Sequence, residues 1–448
     1  MNRAPPTVAP MPPRLGSIVP WLGAGASLLR NPTAFFQTAR ARHGDSFVVD
    51  AFGFRLFCVF SPEGVRALYA LPENQASFGL ATFNLVFKHK APIELVVGRR
   101  HRPHDLFGSQ EVEGYLGTLE RAVALQLDEL GDAGRFESFA FARRLGHRLG
   151  LGCWAGEEAA SAAYLDRLIP LLDRLDTAES FVNPALLFVA RATGKRRERA
   201  ALSALDALLG EIIRTRDSSG IEHGDFLDQI RAAWGNTDGI AREQGIARDV
   251  VLIHLGAQSN LYAALAWTLV NLLLHPDVLA RVVAGDDALL ERAASESIRL
   301  AQRSLTLRQV LRPFDFDDGT RSYHLEPGVM IATMLSVTNA SAAPDLERFD
   351  PDHYEGRRLA KHIAVPAREL VSTFGHGRHA CPAQRFSITA IRVSLRRLFE
   401  RFEVTPRFAV ALPRARQLGA VARAARPCVV AYRARAGDSA ETIRRRPT

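Results

Sequence analysis

The arrangement of apolar and polar positions changes character along the chain. NPTAFFQTARARHG (31–44) spaces its apolar residues at helical intervals, with Asn31 as a cap, Pro32 at the first helical position and Gly44 at the end. SFVVDAFGFRLFCVFS (46–61) is rich in Val and Phe around Gly53 and predicts a β-hairpin. From about 112 to 310 nearly every segment has helical periodicity, broken by short Gly, Asp or Pro connectors, so the middle of the protein is mostly helix. The longest such element is DVVLIHLGAQSNLYAALAWTLVNLLLH (249–275), apolar on almost every face and stopped by Pro276. A membrane span, which needs roughly 20 apolar residues, is the rival reading. Arg and Asp flank the run closely and Gln258, Ser259 and Asn260 sit at its centre, so it predicts a helix buried through a large core. Strand-like pieces return late, at SYHLEPGVMIATML (322–335) and RPCVVAY (426–432).

Composition narrows the class. With 47% hydrophobic and 23% charged residues the chain is globular, with ample material for a core. Length alone suggests two or three domains, unless one domain wraps a large cofactor. Cys58, Cys153, Cys381 and Cys428 lie far apart without a CxxC pair, so neither a zinc cluster nor a disulfide framework is suggested and a reducing cytoplasm is the default. The net charge of +9 is mostly arginine and favours acidic partners; no nucleic-acid motif accompanies it. Residues 1–14 hold five prolines and read as an extended leader without a signal-peptide core or anchor, and 433–448 read as a solvated tail, so the protein is expected to be soluble and monomeric.

Chemistry concentrates in FGHGRHACPAQRF (374–386). Arg378 and His379 precede Cys381, and Pro382 stands where a helix is expected to begin, so the sulfur would face cationic side chains and a helix N-terminus, both of which favour a thiolate. Such a thiolate serves as a nucleophile, a redox sensor or a metal ligand. The segment shows no resolving cysteine, and one thiolate makes no zinc site by itself, but it can be the axial ligand of haem iron.

The spacing Phe374-x-x-Gly377-x-His379-x-Cys381 resembles the haem-binding loop of the cytochrome P450 family, with Ala383 where that family usually has Gly. The resemblance implies a mainly α fold with small β-sheets, a single haem domain over 15–432, haem b as cofactor and Cys381 as the iron ligand. It implies that Phe374 packs beside the sulfur and that His379 meets a haem propionate. Upstream, Glu296 and Arg299 in ASESIRLAQ resemble the family's ExxR helix, and FDPDHY (349–354) resembles its partner segment, with His353 where many members have Arg. By the same match Arg308 in TLRQVL would contact a propionate. In GRRHRPHD, His101 takes the position of the His of a His-x-x-x-Arg pair while Asp105 replaces the Arg, leaving His104 or Arg102 as substitutes.

In oxygen-activating members the central helix carries an acid followed by Thr, a pair that relays protons. Here those positions hold Ser259 and Asn260, next to Gly256 and Ala257, which match the small residues beside the haem. Asn260, Trp267 and the phrase ESIRL resemble the branch with bile-acid hydroxylases and prostacyclin synthase. Two chemistries follow: a monooxygenase that draws electrons from a separate ferredoxin or flavodoxin and oxidises a lipophilic small molecule, or an isomerase or dehydratase that rearranges a lipid peroxide without reductant. A haem carrier is the non-enzymatic alternative. Phe78 to Phe87 and FVNPALLFVA (181–190) are expected as pocket walls.

Overall fold

Phe52 and Gly53 both adopt positive φ, 54° and 80°, and make the two-residue turn between strands Ser46–Ala51 and Phe54–Val59. Two such residues in succession match the right-handed twist of a hairpin. Gly accepts this conformation freely, whereas Phe52 is held in it by an edge-to-face contact with Trp21, ring centres 5.5 Å apart. This protein is described from a computed structural model covering residues 11–16, 19, 21–100, 105–107, 112–177 and 185–435.

The described chain divides into two compact units, one from residues up to 88, 298–381 and 413–422, the other from 89–297, 382–412 and 423 onward. The first unit is organised by a six-stranded sheet in the order Arg14–Leu15, Ser46–Ala51, Phe54–Val59, Met330–Met334, Leu305–Val310, Ala76–Ser77. Alternate residues of the hairpin enter opposite cores. Phe47, Val49, Leu56 and Cys58 pack with Phe36 and Phe60 on one face, and Val48, Phe57 and Val59 pack with Phe316 and Tyr323 on the other. Burial on both faces is why the sequence there is a continuous apolar run instead of an alternation. Helix Pro32–His43 forms as its capping residues predict, with Asn31 Oδ1 accepting the Ala34 N–H at 3.1 Å.

The strand-like pieces of 322–335 form two strands: Ser322–Leu325 pairs with Phe314–Asp317, Met330–Met334 joins the main sheet, and Gly328 at φ 91° turns the chain between them. One expectation needs correction. The helical stretch from 112 to 310 contains strand Ala133–Glu137, which pairs with Val429–Ala434 in a three-stranded sheet of the second unit. AGRFE is largely solvent-facing and has Phe136 as its one large apolar side chain, so it carries no apolar alternation to announce a strand.

The second unit is built around helix Gly239–Leu274, 36 residues long, which starts ten residues before the apolar run does. Those first turns, GIAREQGIAR, are rich in polar side chains, which is why periodicity alone places the start later. The helix is long and apolar enough to cross a bilayer, but 78% of its most apolar stretch is buried inside the protein. It crosses helix Ser138–Trp154 closely: a Cβ at Gly146 would stand 3.1 Å from Tyr262 Cβ.

Candidate cofactor and active site

Cys381 ends a loop that folds back on itself. Its N–H donates to Phe374 O at 2.6 Å, Ala380 N–H donates to Gly377 O at 3.2 Å, and Gly375 N–H donates to Ser372 Oγ at 3.1 Å. Gly375 has φ 78°, and a Cβ there would lie 2.7 Å from the His379 carbonyl oxygen, so the turn admits only glycine. Cys381 is half-buried, whereas the other three cysteines are buried. Burial pushes the thiols of Cys58 and Cys153 far up and that of Cys428 to about 11, which makes all three inert. The following helix does not begin at Pro382. Its first residue is Gln384, with Ala383 in the cap position, because Pro382 and Ala383 form a turn after the Cys381 amide has bonded back to Phe374.

Residues that carry no motif hold this loop in place. Tyr69 Oη meets Ser372 Oγ at 3.2 Å and Thr306 Oγ1 at 3.0 Å, and its ring stands edge-on to His376, centres 5.0 Å apart. Asn339 donates from Nδ2 to the carbonyls of Arg299 at 3.0 Å and Ser372 at 3.1 Å, while its Oδ1 accepts the Ser372 N–H at 2.7 Å. Arg299 is fully buried and donates to the carbonyls of Asn339 at 2.7 Å and Leu346 at 2.6 Å. Glu296 and His353 are buried as well, so the ExxR pair is not a surface pair. Asn339 therefore joins the end of the ExxR helix to the approach of the cysteine loop, a link between segments 33 and 40 residues apart that no local pattern signals.

Beside the loop, Arg308 is completely buried on strand Leu305–Val310. Its Nη1 donates to Leu307 O at 2.8 Å, but Nε and Nη2 have no hydrogen-bond partner among the described residues. A buried guanidinium with two idle donors is costly unless an anion completes it. Phe78 lies between Arg308 and His379: the guanidinium carbon is 5.3 Å from its ring centre, and the His379 ring centre is 5.2 Å away. Phe78, expected in a pocket wall, thus packs against the two residues expected at the propionates. Glu73 completes the group, with Oε1 3.0 Å from His379 Nε2 and accepting the Phe78 N–H at 3.0 Å. Burial pushes the Glu73 carboxyl up, but the Phe78 N–H, the Ser77 hydroxyl and the charges of His379 and Arg308 outweigh it and hold it below the ordinary carboxylate range. Nothing in the sequence around Glu73 announces this role.

On the long helix of the second unit, Leu252, Gly256, Ala257 and Asn260 are the accessible positions of a segment otherwise buried. They recur at i, i+4, i+5 and i+8 and so share one face. A Cβ at Gly256 would meet nothing within 4 Å. Ser259 is buried, not on the open face. Gln258, also buried, donates to Asp176 Oδ2 at 3.1 Å from the opposite side of the helix. Trp267 packs edge-on against Phe139, ring centres 5.6 Å apart. Asp105 is exposed. His101, Arg102 and His104 lie outside the described residues, as do 181–184 of the second expected wall; 185–190 fall in helix Ala185–Ala192.

The cytochrome P450 family profile matches residues 162–428, more than half of the chain. The chain is 19% identical to human 24-hydroxycholesterol 7-alpha-hydroxylase across 86% of its own length and 85% of the relative's, and 23% identical to the mouse protein across 95% and 93%. It is 28% identical to the cyclooctat-9-en-7-ol 5-monooxygenase of Streptomyces melanosporofaciens across 48% and 49%. The chain belongs to the cytochrome P450 family: it is a haem monooxygenase, and its cofactor is haem b. Its residues fit that group, since the idle donors of Arg308 suit a propionate and Cys381, alone of the four cysteines, is not buried.

Proposed function

We propose that this enzyme hydroxylates a lipophilic alcohol of sterol or terpenoid size with electrons from a ferredoxin- or flavodoxin-type protein. The observation that carries the reading is the half-buried cysteine of a glycine turn beside a buried arginine with unused donors. Bound haem supplies the iron that activates oxygen and four of its ligands. Cys381 would be the axial thiolate, with its loop held by Phe374 O and Ser372; Arg308 and His379 would take the propionates; and Ala257 would lie beside the ring. Asn260 offers an amide that holds a water but relays no proton itself, and the buried Ser259 gives no hydroxyl on the open face. Protons would then reach the site by way of water and not by a hydroxyl at these two positions. Three relatives are named for a hydroxylated cholesterol, for cyclooctat-9-en-7-ol and for a sterol, each an apolar carbon frame bearing an alcohol, which supports the substrate class.

The surplus of basic residues suits an acidic electron donor. The protein would be a cytoplasmic monomer, and the bilayer-length helix among the described residues, mostly buried inside the protein, would serve as a core helix. The haem domain would span 15–432; residues 1–10 of the expected leader and 436–448 of the expected tail lie outside the described residues. The test is turnover of a sterol and terpenoid alcohol panel with NADPH, a reductase and a ferredoxin. An oxygen- and reductant-dependent hydroxylated product, abolished in Cys381→Ala, is expected. Turnover of a lipid hydroperoxide without reductant, and of nothing else, would replace the proposal with a peroxide isomerase.

A further inference from the structure

Glu73 is out of place in a site built to receive anions. Its carboxylate takes His379 Nε2 at 3.0 Å and accepts the Phe78 N–H that ties it to the start of helix Phe78–Thr82. Phe78 in turn carries Arg308 against its ring face and His379 beside it. A fixed negative charge therefore stands among the very groups that would hold the haem carboxylates. Like charges brought together in a partly buried setting oppose one another, and an anion near the iron also disfavours reduction, which adds negative charge.

We propose that Glu73 is an electrostatic tuning residue: its carboxylate competes with a haem propionate for His379, weakening the protein's hold on the cofactor and keeping the haem reduction potential low. This rests on the reading that Cys381, His379 and Arg308 hold haem b. Glu73 is partly exposed, with 43% of its side chain accessible, so salt must screen the effect in part.

The experiment compares the haem-loaded wild type with Glu73→Gln, which keeps an oxygen for the Phe78 N–H but removes the charge. Two quantities are read: the rate of haem transfer to excess apomyoglobin and the midpoint potential by spectroelectrochemistry, each at low and high salt. Ser77→Ala is the control, because the Ser77 hydroxyl caps the same helix, accepting the Leu80 N–H at 3.0 Å, and also bonds the Glu73 carboxylate, so its loss disturbs the same corner of the site without removing a charge. In Glu73→Gln we expect transfer slowed several-fold and the potential raised, with both differences smaller at high salt, and we expect the Ser77→Ala potential to stay at the wild-type value. Any other pairing of the two Glu73→Gln readouts overturns the proposal, as does a Ser77→Ala potential that moves as far. If the wild type shows no thiolate-type absorption when reduced under carbon monoxide, the underlying reading fails and the inference with it.

Discussion

The cysteine loop and the centre of the long helix solve opposite problems. The loop is fixed by its backbone: one turn admits only glycine at 375, the Cys381 amide is bonded to Phe374, and Ser372 is gripped by Asn339 and Tyr69. The helix centre offers instead one open face of Leu252, Gly256, Ala257 and Asn260, with space where a Cβ at 256 would be. Holding a cofactor demands one geometry, and backbone hydrogen bonds deliver it whatever the neighbouring side chains. Reaction on a particular substrate is set by a few side chains, which change without disturbing the helix that carries them. That difference would account for a loop that resembles the family's beside a helix with Ser259 and Asn260 where the resemblance expects an acid and an alcohol.

The comparison breaks most visibly at Arg308. Removing a charge-assisted contact costs about 1.5–3 kcal/mol, roughly 10- to 100-fold in binding. Arg308→Leu should therefore release haem at least tenfold faster, whereas Asn260→Thr should leave haem release unchanged and alter only the fraction of reductant that ends in product. Equal haem loss in both variants would erase the distinction between a holding side and a reacting side.

Asn339→Ala comes next. It removes three hydrogen bonds within the unit that carries the loop and leaves buried carbonyls without a donor, at about 2–3 kcal/mol. A lowered melting temperature together with faster decay of the thiolate-type carbon monoxide spectrum is expected. A lowered melting temperature with an unchanged decay would mean that Asn339 supports the fold without positioning the thiol.

At neutral pH the smallest effect belongs to the buried side of the long helix, where the cost appears only as the pH falls. Trp154 Nε1, a donor only, gives its hydrogen to His254 Nδ1 at 3.2 Å, so His254 Nε2 donates to His147 Nδ1 at 2.9 Å. Burial drives the His254 pKa down to about 3, and burial together with its neighbour drives that of His147 well down. In the unfolded chain these rings titrate near about 6.5. Their contribution to stability is therefore complete above about pH 6.5 and is lost as pH falls toward 3, by at most about 1.4 kcal/mol per pH unit for each ring. Melting temperatures across that range should fall less steeply in His254→Gln, while the haem spectrum of the loop side stays that of the wild type at neutral pH.

What the sequence determined by itself is what short spacing encodes: the Asn31-capped helix, the 46–61 hairpin, the buried run through 249–274 and the turn that presents Cys381, each a consequence of local backbone preference or of periodic burial. The strand at Ala133–Glu137 stayed hidden because its partner lies almost 300 residues away and its own side chains face water. The helix after Cys381 starts at Gln384 and not at Pro382, although Pro382 suits a helix start, because the loop closes on itself through the Cys381 N–H to Phe374 O before the helix can begin. Only the tertiary structure decided which polar residues surround the cofactor side. Glu73, Tyr69, Thr306, Asn339 and Ser372 come from separate segments, and a hydrogen bond between distant residues leaves no period in the chain that could announce it.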